Sequence, residues 1–212
     1  NTEVEAQFIF HHERGCFVRK HLTVVHFSPT GGTRRAALLL AEGPARRIDE
    51  LDLTLPAPTG RTFGPQDAVL FAGPVFGGRL SALMTQRLKN RTGEGTPAVT
   101  AAALLELNDC VAAQGFRVAA SAALVAERSI SRAVPAVSET CTACGLRTAQ
   151  CPARSISPDD PKHTDPERCF LCMRRIARCS QHAKAYPAKS KAMVDQRLAP
   201  LRTVRRKNAL PV

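Results

Sequence analysis

From residue 22 onward, short apolar runs alternate with stretches of helical character. Residues 22–27 form a β-branched, mostly apolar run of the kind that fills a buried parallel strand, and the Ala- and Leu-rich residues 34–42 after it favour helix. Further strands are expected over residues 47–53, 68–72, 98–101 and 116–125, with helices over 80–90 and 102–114 between them. Such alternation predicts an α/β layered sandwich built on a parallel sheet. Ligands of these sheets bind in loops beyond the carboxyl ends of the strands. Two glycine-containing loops stand at that end here, residues 28–33 and 73–79.

After residue 127 the regularity stops. Residues 127–140 read as a linker, and residues 141–187 as a small second domain. Residues 188–212 read as a basic tail with helical character over 193–201. Residues 1–20 flank the polar His11-His12-Glu13-Arg14-Gly15 with short apolar runs and receive no assignment.

At 212 residues with 44% apolar side chains, the chain can bury a core, and two compact units are expected. No apolar run approaches the roughly 20 residues that cross a bilayer. The acidic start has no character of a secretory signal, so a cytoplasmic protein without a membrane span is the expectation. The net charge of +12 is unevenly spread. Residues 1–140 hold 15 basic and 13 acidic side chains, whereas residues 141–212 hold 15 and 5. A basic third attracts nucleic acid, an anionic surface or an acidic protein, or it offsets negative charge bound within it.

The cysteines fall in that same third. Cys141, Cys144 and Cys151 repeat 28 residues later as Cys169, Cys172 and Cys179, giving C-x2-C-x6-C twice, while Cys16 and Cys110 stand apart. Disulfides are the alternative, but in a chain not marked for export, paired C-x-x-C more often holds metal. A zinc site is one option, from two C-x2-C pairs or with His163 or His182 completing it, although Cys151 and Cys179 then have no role.

The loop Ser28-Pro29-Thr30-Gly31-Gly32-Thr33 offers hydroxyls and backbone N–H groups at a helix start and no acidic side chain, which suits a terminal phosphate. It lacks the lysine of a nucleoside-triphosphate loop and the G-x-G-x-x-G of a dinucleotide fingerprint. The same residues also suit an ordinary helix cap.

Residues 27–33 resemble the FMN-phosphate loop of flavodoxins. Pro74-Val75-Phe76-Gly77-Gly78-Arg79 resembles the flavin-flanking loop of EFR-type fusions, which join a flavodoxin-like domain to a ferredoxin-like domain with two 4Fe-4S clusters. The similarity extends through Gly115-Phe116-Arg117, residues 127–130 and the cysteine region to residue 187, including residues 156–160. It implies a flavodoxin-like doubly wound sheet over 21–126 and a small α+β iron-sulfur domain over 141–187. It also implies FMN phosphate held by Ser28, Thr30, Gly31, Gly32 and Thr33, with Pro74, Phe76, Gly77, Gly78 and Arg79 along the flavin. Two departures stand out. The Gly-Asn-Arg-like loop that follows strand four in the family is absent around Val99 to Leu107, and few residues remain for a final helix before Cys141.

A two-cluster ferredoxin uses C-x2-C-x2-C-x3-C-P twice, the fourth cysteine of each run ligating the other run's cluster. Arg147 and Arg175 here occupy both third positions. Crossover groups Cys141, Cys144 and Cys179 as one ligand set and Cys151, Cys169 and Cys172 as the other. Three thiolates suit an open-site 4Fe-4S or a 3Fe-4S centre; arginine cannot ligate, but it can hydrogen-bond the centre and raise its potential. No acid, base or nucleophile constellation accompanies the glycine loops, so the cofactors are expected to carry the chemistry. The resulting expectation is an electron-transfer protein whose partners are redox proteins with acidic surfaces. Its rivals are a basic zinc- or nucleic-acid-binding module and a cluster-free remnant. Phe170 and Tyr186 are the only aromatics of the basic third, which argues against nucleic acid as a partner.

Overall fold

The computed structural model describes residues 21–42, 45–56, 60–76, 79–101, 106–122 and 134–201. The chain divides into two compact units, within Asn1–Arg128 and Ser129–Pro211.

The larger unit is an α/β layer structure. In chain order its elements are β1 (Leu22–His26), α1 (Gly32–Glu42), β2 (Ile48–Asp52), β3 (Arg61–Phe63), β4 (Val69–Ala72), β5 (Val75–Phe76), β6 (Arg79–Leu80), α2 (Ala82–Leu88), β7 (Arg91–Gly93), β8 (Thr96–Ala101), α3 (Glu106–Ala112) and β9 (Phe116–Ala122). The main sheet runs β2-β1-β4-β8-β9 with every pairing parallel. Registers such as Thr23 with Val69 and Val69 with Ala98 fix the strands, and one irregularity falls between Ala98 and Val99.

Burial follows position in the sheet. All five residues of β1 and all four of β4 are buried, which is why these central strands read as continuous apolar runs. β2 lies at the edge, where Asp49, Glu50 and Asp52 remain partly exposed. Charged side chains on an edge strand discourage further strand addition. Helix α1 presents Ala37 and Ala41 to Leu22, Val24, Leu70 and Ala72; small residues there let the helix approach the sheet closely. A second apolar group forms where the Phe71 and Phe116 rings meet edge-on at 4.9 Å and Phe63 lies 5.7 Å from Phe116. Gly115, at φ +82°, makes the turn into β9, and a Cβ on it would lie 2.1 Å from the Gly93 carbonyl oxygen.

Several sequence-based boundaries need adjustment: α1 begins at Gly32 rather than residue 34, and α2 and α3 end at Leu88 and Ala112, two residues before the expected ends. Leu80 belongs to a short hairpin of β5 with β6, so α2 begins at Ala82 rather than at residue 80. Strand β8 begins two residues earlier than expected. The parallel pair β3–β7 was not predicted, because three-residue strands show no usable periodicity. Residues 1–20, 102–105, 123–133 and 202–212 lie outside the described residues, and with them the leader, the loop after β8, most of the linker and the end of the tail.

The smaller unit contains β10 (Ala136–Val137), α4 (Leu146–Ala149), α5 (Arg174–Ala177), β11 (Lys184–Ala185) and α6 (Ala188–Leu198), with a 3-10 turn over Ala199–Leu201. Antiparallel pairing of β10 with β11 draws the two ends of the cysteine region together. Helix α6 begins five residues before the expected position, with Pro187 as its N-cap residue.

Candidate functional site

In the larger unit, the two glycine-containing loops leave the same end of the sheet. β1 and β4 are parallel neighbours, so the segment after His26 and the segment after Ala72 emerge side by side. Ser28 is buried; its backbone N–H donates to Thr54 Oγ1 at 2.8 Å, and its Oγ accepts from the Arg34 N–H at 2.9 Å. The serine therefore caps the first turn of α1. Gly31 has φ +90°, and a Cβ at either Gly31 or Gly32 would meet nothing within 4 Å, so both glycines border open space. Thr30 is exposed and Thr33 half-buried. Pro74 and Phe76 are half-buried, Arg79 is exposed at the end of the β5–β6 hairpin, and Gly77 and Gly78 lie outside the described residues.

The residues that brace this loop carry no signal in the amino-acid order. The Arg34 guanidinium grips both oxygens of Glu50 at 2.6 and 2.7 Å. Buried His26 places Nε2 3.3 Å from the same carboxylate. The Arg34 contact holds the Glu50 carboxyl below the usual carboxylate range, opposed by partial burial. The Asp52 carboxylate accepts from the Thr54 N–H, setting the hydroxyl that receives Ser28.

The smaller unit repeats itself in three dimensions. Helix α5 is α4 displaced by 28 residues, and the buried Arg147 and Arg175 hold equivalent positions within them. The left-handed backbone repeats too: Ala143 and Gly145 correspond to Leu171 and Met173, and Arg154 to His182, all at φ between 48° and 74°. Among the described residues, all five non-glycine residues with positive φ belong to this region. An L-residue in that conformation costs roughly 1–2 kcal/mol. Such strain gathers where a fold must aim backbone groups at something, and alternating right- and left-handed residues form N–H nests for anions, iron-sulfur centres included.

In this region the six cysteines separate into two sets. Cys141, Cys144 and Cys179 line one cavity, while Cys151, Cys169 and Cys172 line a second. Each set draws two cysteines from one run and one from the other. No acidic side chain lines either cavity, whereas Arg147 and Arg178 line both.

No family model matches the chain, and comparison with curated proteins and with solved structures finds no match. The chemistry must therefore be read from the residues themselves.

The arginines hold the sulfurs. Arg147 Nη2 donates to Cys141 Sγ at 2.7 Å, and Arg175 Nη2 to Cys169 Sγ at 3.1 Å. The N–H of Ala143, followed by the charges of Arg147, Lys162 and Lys184, lowers the Cys141 thiol pKa against the opposing effect of burial. Burial pushes the Cys172 thiol up. Lys184, buried on β11 near both arginines, is lowered to about 8 by desolvation and then by their charges. Among the described residues, no three Cys, His, Asp or Glu side chains converge on a single ion. One tetrahedral zinc needs all its donors within about 2.3 Å of one point. A cluster instead spreads its thiolates over separate irons.

One atom tests the fit of an anionic centre. Arg147 Nη1 is buried and has no hydrogen-bond partner, an arrangement costing on the order of 1–3 kcal/mol unless an acceptor is supplied. Inorganic sulfide is such an acceptor. The residues present thus fit an iron-sulfur centre with three thiolate ligands.

Proposed function

We propose that the chain is an electron-transfer protein, an EFR-type relative in which a flavodoxin-like unit for FMN is joined to a ferredoxin-like unit for two iron-sulfur centres. The observation that carries this reading is the sorting of six cysteines into two cavities by crossover between the runs. Cys141, Cys144 and Cys179 would hold one centre, and Cys151, Cys169 and Cys172 the other, each of 4Fe-4S type with one iron lacking protein ligation, or of 3Fe-4S type. Bound there, such centres pass single electrons. The chain's own residues supply the surroundings. The backbone N–H groups of Ala143 and Arg174 reach the Cys141 and Cys172 sulfurs, and the guanidinium groups of Arg147 and Arg175 would offset negative charge without ligating.

The main sheet supports the flavin half. Its order, counted along its own five strands, is 2-1-3-4-5, the order used by flavodoxin-type sheets with FMN at the switch point between the first and third strands. Those strands are β1 and β4, whose following loops carry Ser28, Thr30, Gly31, Gly32 and Thr33 on one side and Pro74, Phe76 and Arg79 on the other. The Ser28 oxygen already accepts from Arg34, which leaves its hydroxyl proton to donate to a phosphate oxygen. Electrons would pass to redox proteins whose acidic surfaces match the basic unit.

Anaerobic purification with iron, acid-labile sulfide, zinc and flavin counted per chain tests the reading. Iron with sulfide is the expected result; zinc alone, or no metal after reconstitution, would refute it.

A further inference from the structure

The two halves of the cysteine repeat differ in how their arginines are employed, and the difference concerns the centres proposed above. Arg175 has both terminal nitrogens engaged: Nη1 with the Thr164 hydroxyl and Nη2 with Cys169 Sγ. Arg147 uses Nη2 on Cys141 Sγ, while Nη1 is left without a partner. The repeat explains why. The position equivalent to Thr164, 28 residues earlier, is Ala136, which has no hydroxyl to offer. A second exchange adds to the first, since buried Ile156 in one half corresponds to buried Lys184 in the other.

We infer that the two centres are electronically unequal, and that the spare Arg147 donor makes the Cys141–Cys144–Cys179 centre the first to be reduced, with Thr164 restraining the other centre by occupying Arg175. The physical basis is general. Hydrogen bonds and positive charge close to an iron-sulfur centre stabilise its reduced, more negative form and raise its potential. In the first set, the guanidinium that holds Cys141 keeps one N–H uncommitted, and the Lys184 ammonium acts on Cys141 and Cys179. At the second, Thr164 takes up the corresponding N–H, and the place of the lysine is filled by an isoleucine. The remaining cations are spread over both sides. Arg147 and Arg178 line both cavities. Arg174 lines only the second cavity and adds positive charge there; as a residue it is half-exposed, so solvent screens it more than it screens buried Lys184. Lys162 acts on Cys141 of the first set.

The inference rests on the proposed function, and one experiment separates their failures. Iron-loaded full-length protein is titrated with dithionite while the potential is monitored and the reduced centres are counted by electron paramagnetic resonance. Two waves are expected. Thr164→Val should raise the lower wave and narrow the gap, because it releases Arg175 Nη1; Arg147→Gln should lower the upper wave. If Arg147→Gln fails to load iron, Thr164→Val and Lys184→Met decide, the latter expected to lower the upper wave. An iron-loaded protein with one shared potential overturns the inference and leaves the proposed function standing. A Thr164→Val protein whose lower wave stays in place does the same. A chain that takes up neither iron nor sulfide overturns both.

Discussion

At the level of single residues, two carboxylate and guanidinium contacts have measurable consequences. Glu50 is shared by Arg34 and His26, and Arg34 keeps its carboxyl ionised to lower pH than in the unfolded chain. A depressed carboxylate pKa contributes stability that is complete above the ordinary value of 4.5 and is lost as pH falls through the folded-state value. Glu50→Gln should therefore lower the denaturation midpoint at pH 7 and make little difference near pH 2; an equal loss at both would show that charge is not the cause. Arg147 and Arg175 give a second prediction. On the proposed reading, cysteine placed at both would supply each set with a fourth thiolate and remove a nearby cation, so the double variant should retain more iron per chain at lower potential. Unchanged iron content and potential would dissociate these positions from the metal.

Among the elements, the ones with a strong pattern were legible from the amino-acid order. β1 and β4 read as apolar runs because both their faces are covered, and α1 as helix because Ala and Leu dominate it. The pairs β3–β7 and β5–β6 were not legible, since two or three residues cannot display a period and their pairing depends on neighbours far along the chain. The same distance hid the partners of the loop: nothing near Ser28 points to Thr54 or Glu50. In the cysteine region, the crossover that the ferredoxin pattern implies is also the grouping in which the thiols line the two cavities, whereas Thr164 and Lys184, the residues that distinguish the halves, carry no local signal. Gly115 illustrates an element set by backbone geometry. Gly115→Ala must adopt positive φ and also push against the Gly93 carbonyl, so a loss of more than about 2 kcal/mol is expected from the conformational term and the clash together. Urea unfolding of the variant measures it, and a change below half that amount would mean the turn rearranges freely.

For the molecule as a whole, two units with separate cores should unfold in separable steps rather than in a single transition. Metal bound only to the folded smaller unit stabilises that unit alone. Chelation of the iron-loaded protein should lower one calorimetric transition and leave the other fixed, and the shift should be larger in the Arg147→Cys, Arg175→Cys double variant, where binding is tighter. Movement of both transitions would contradict independent cores.

The guanidinium–sulfur contacts at Cys141 and Cys169 have one more consequence. In many small metalloproteins, stripping the ion leaves thiolates repelling one another, and the scaffold unravels. Here each half brings its own permanent positive charge to the spot, so, on the proposed reading, cavities stripped of metal should keep their shape.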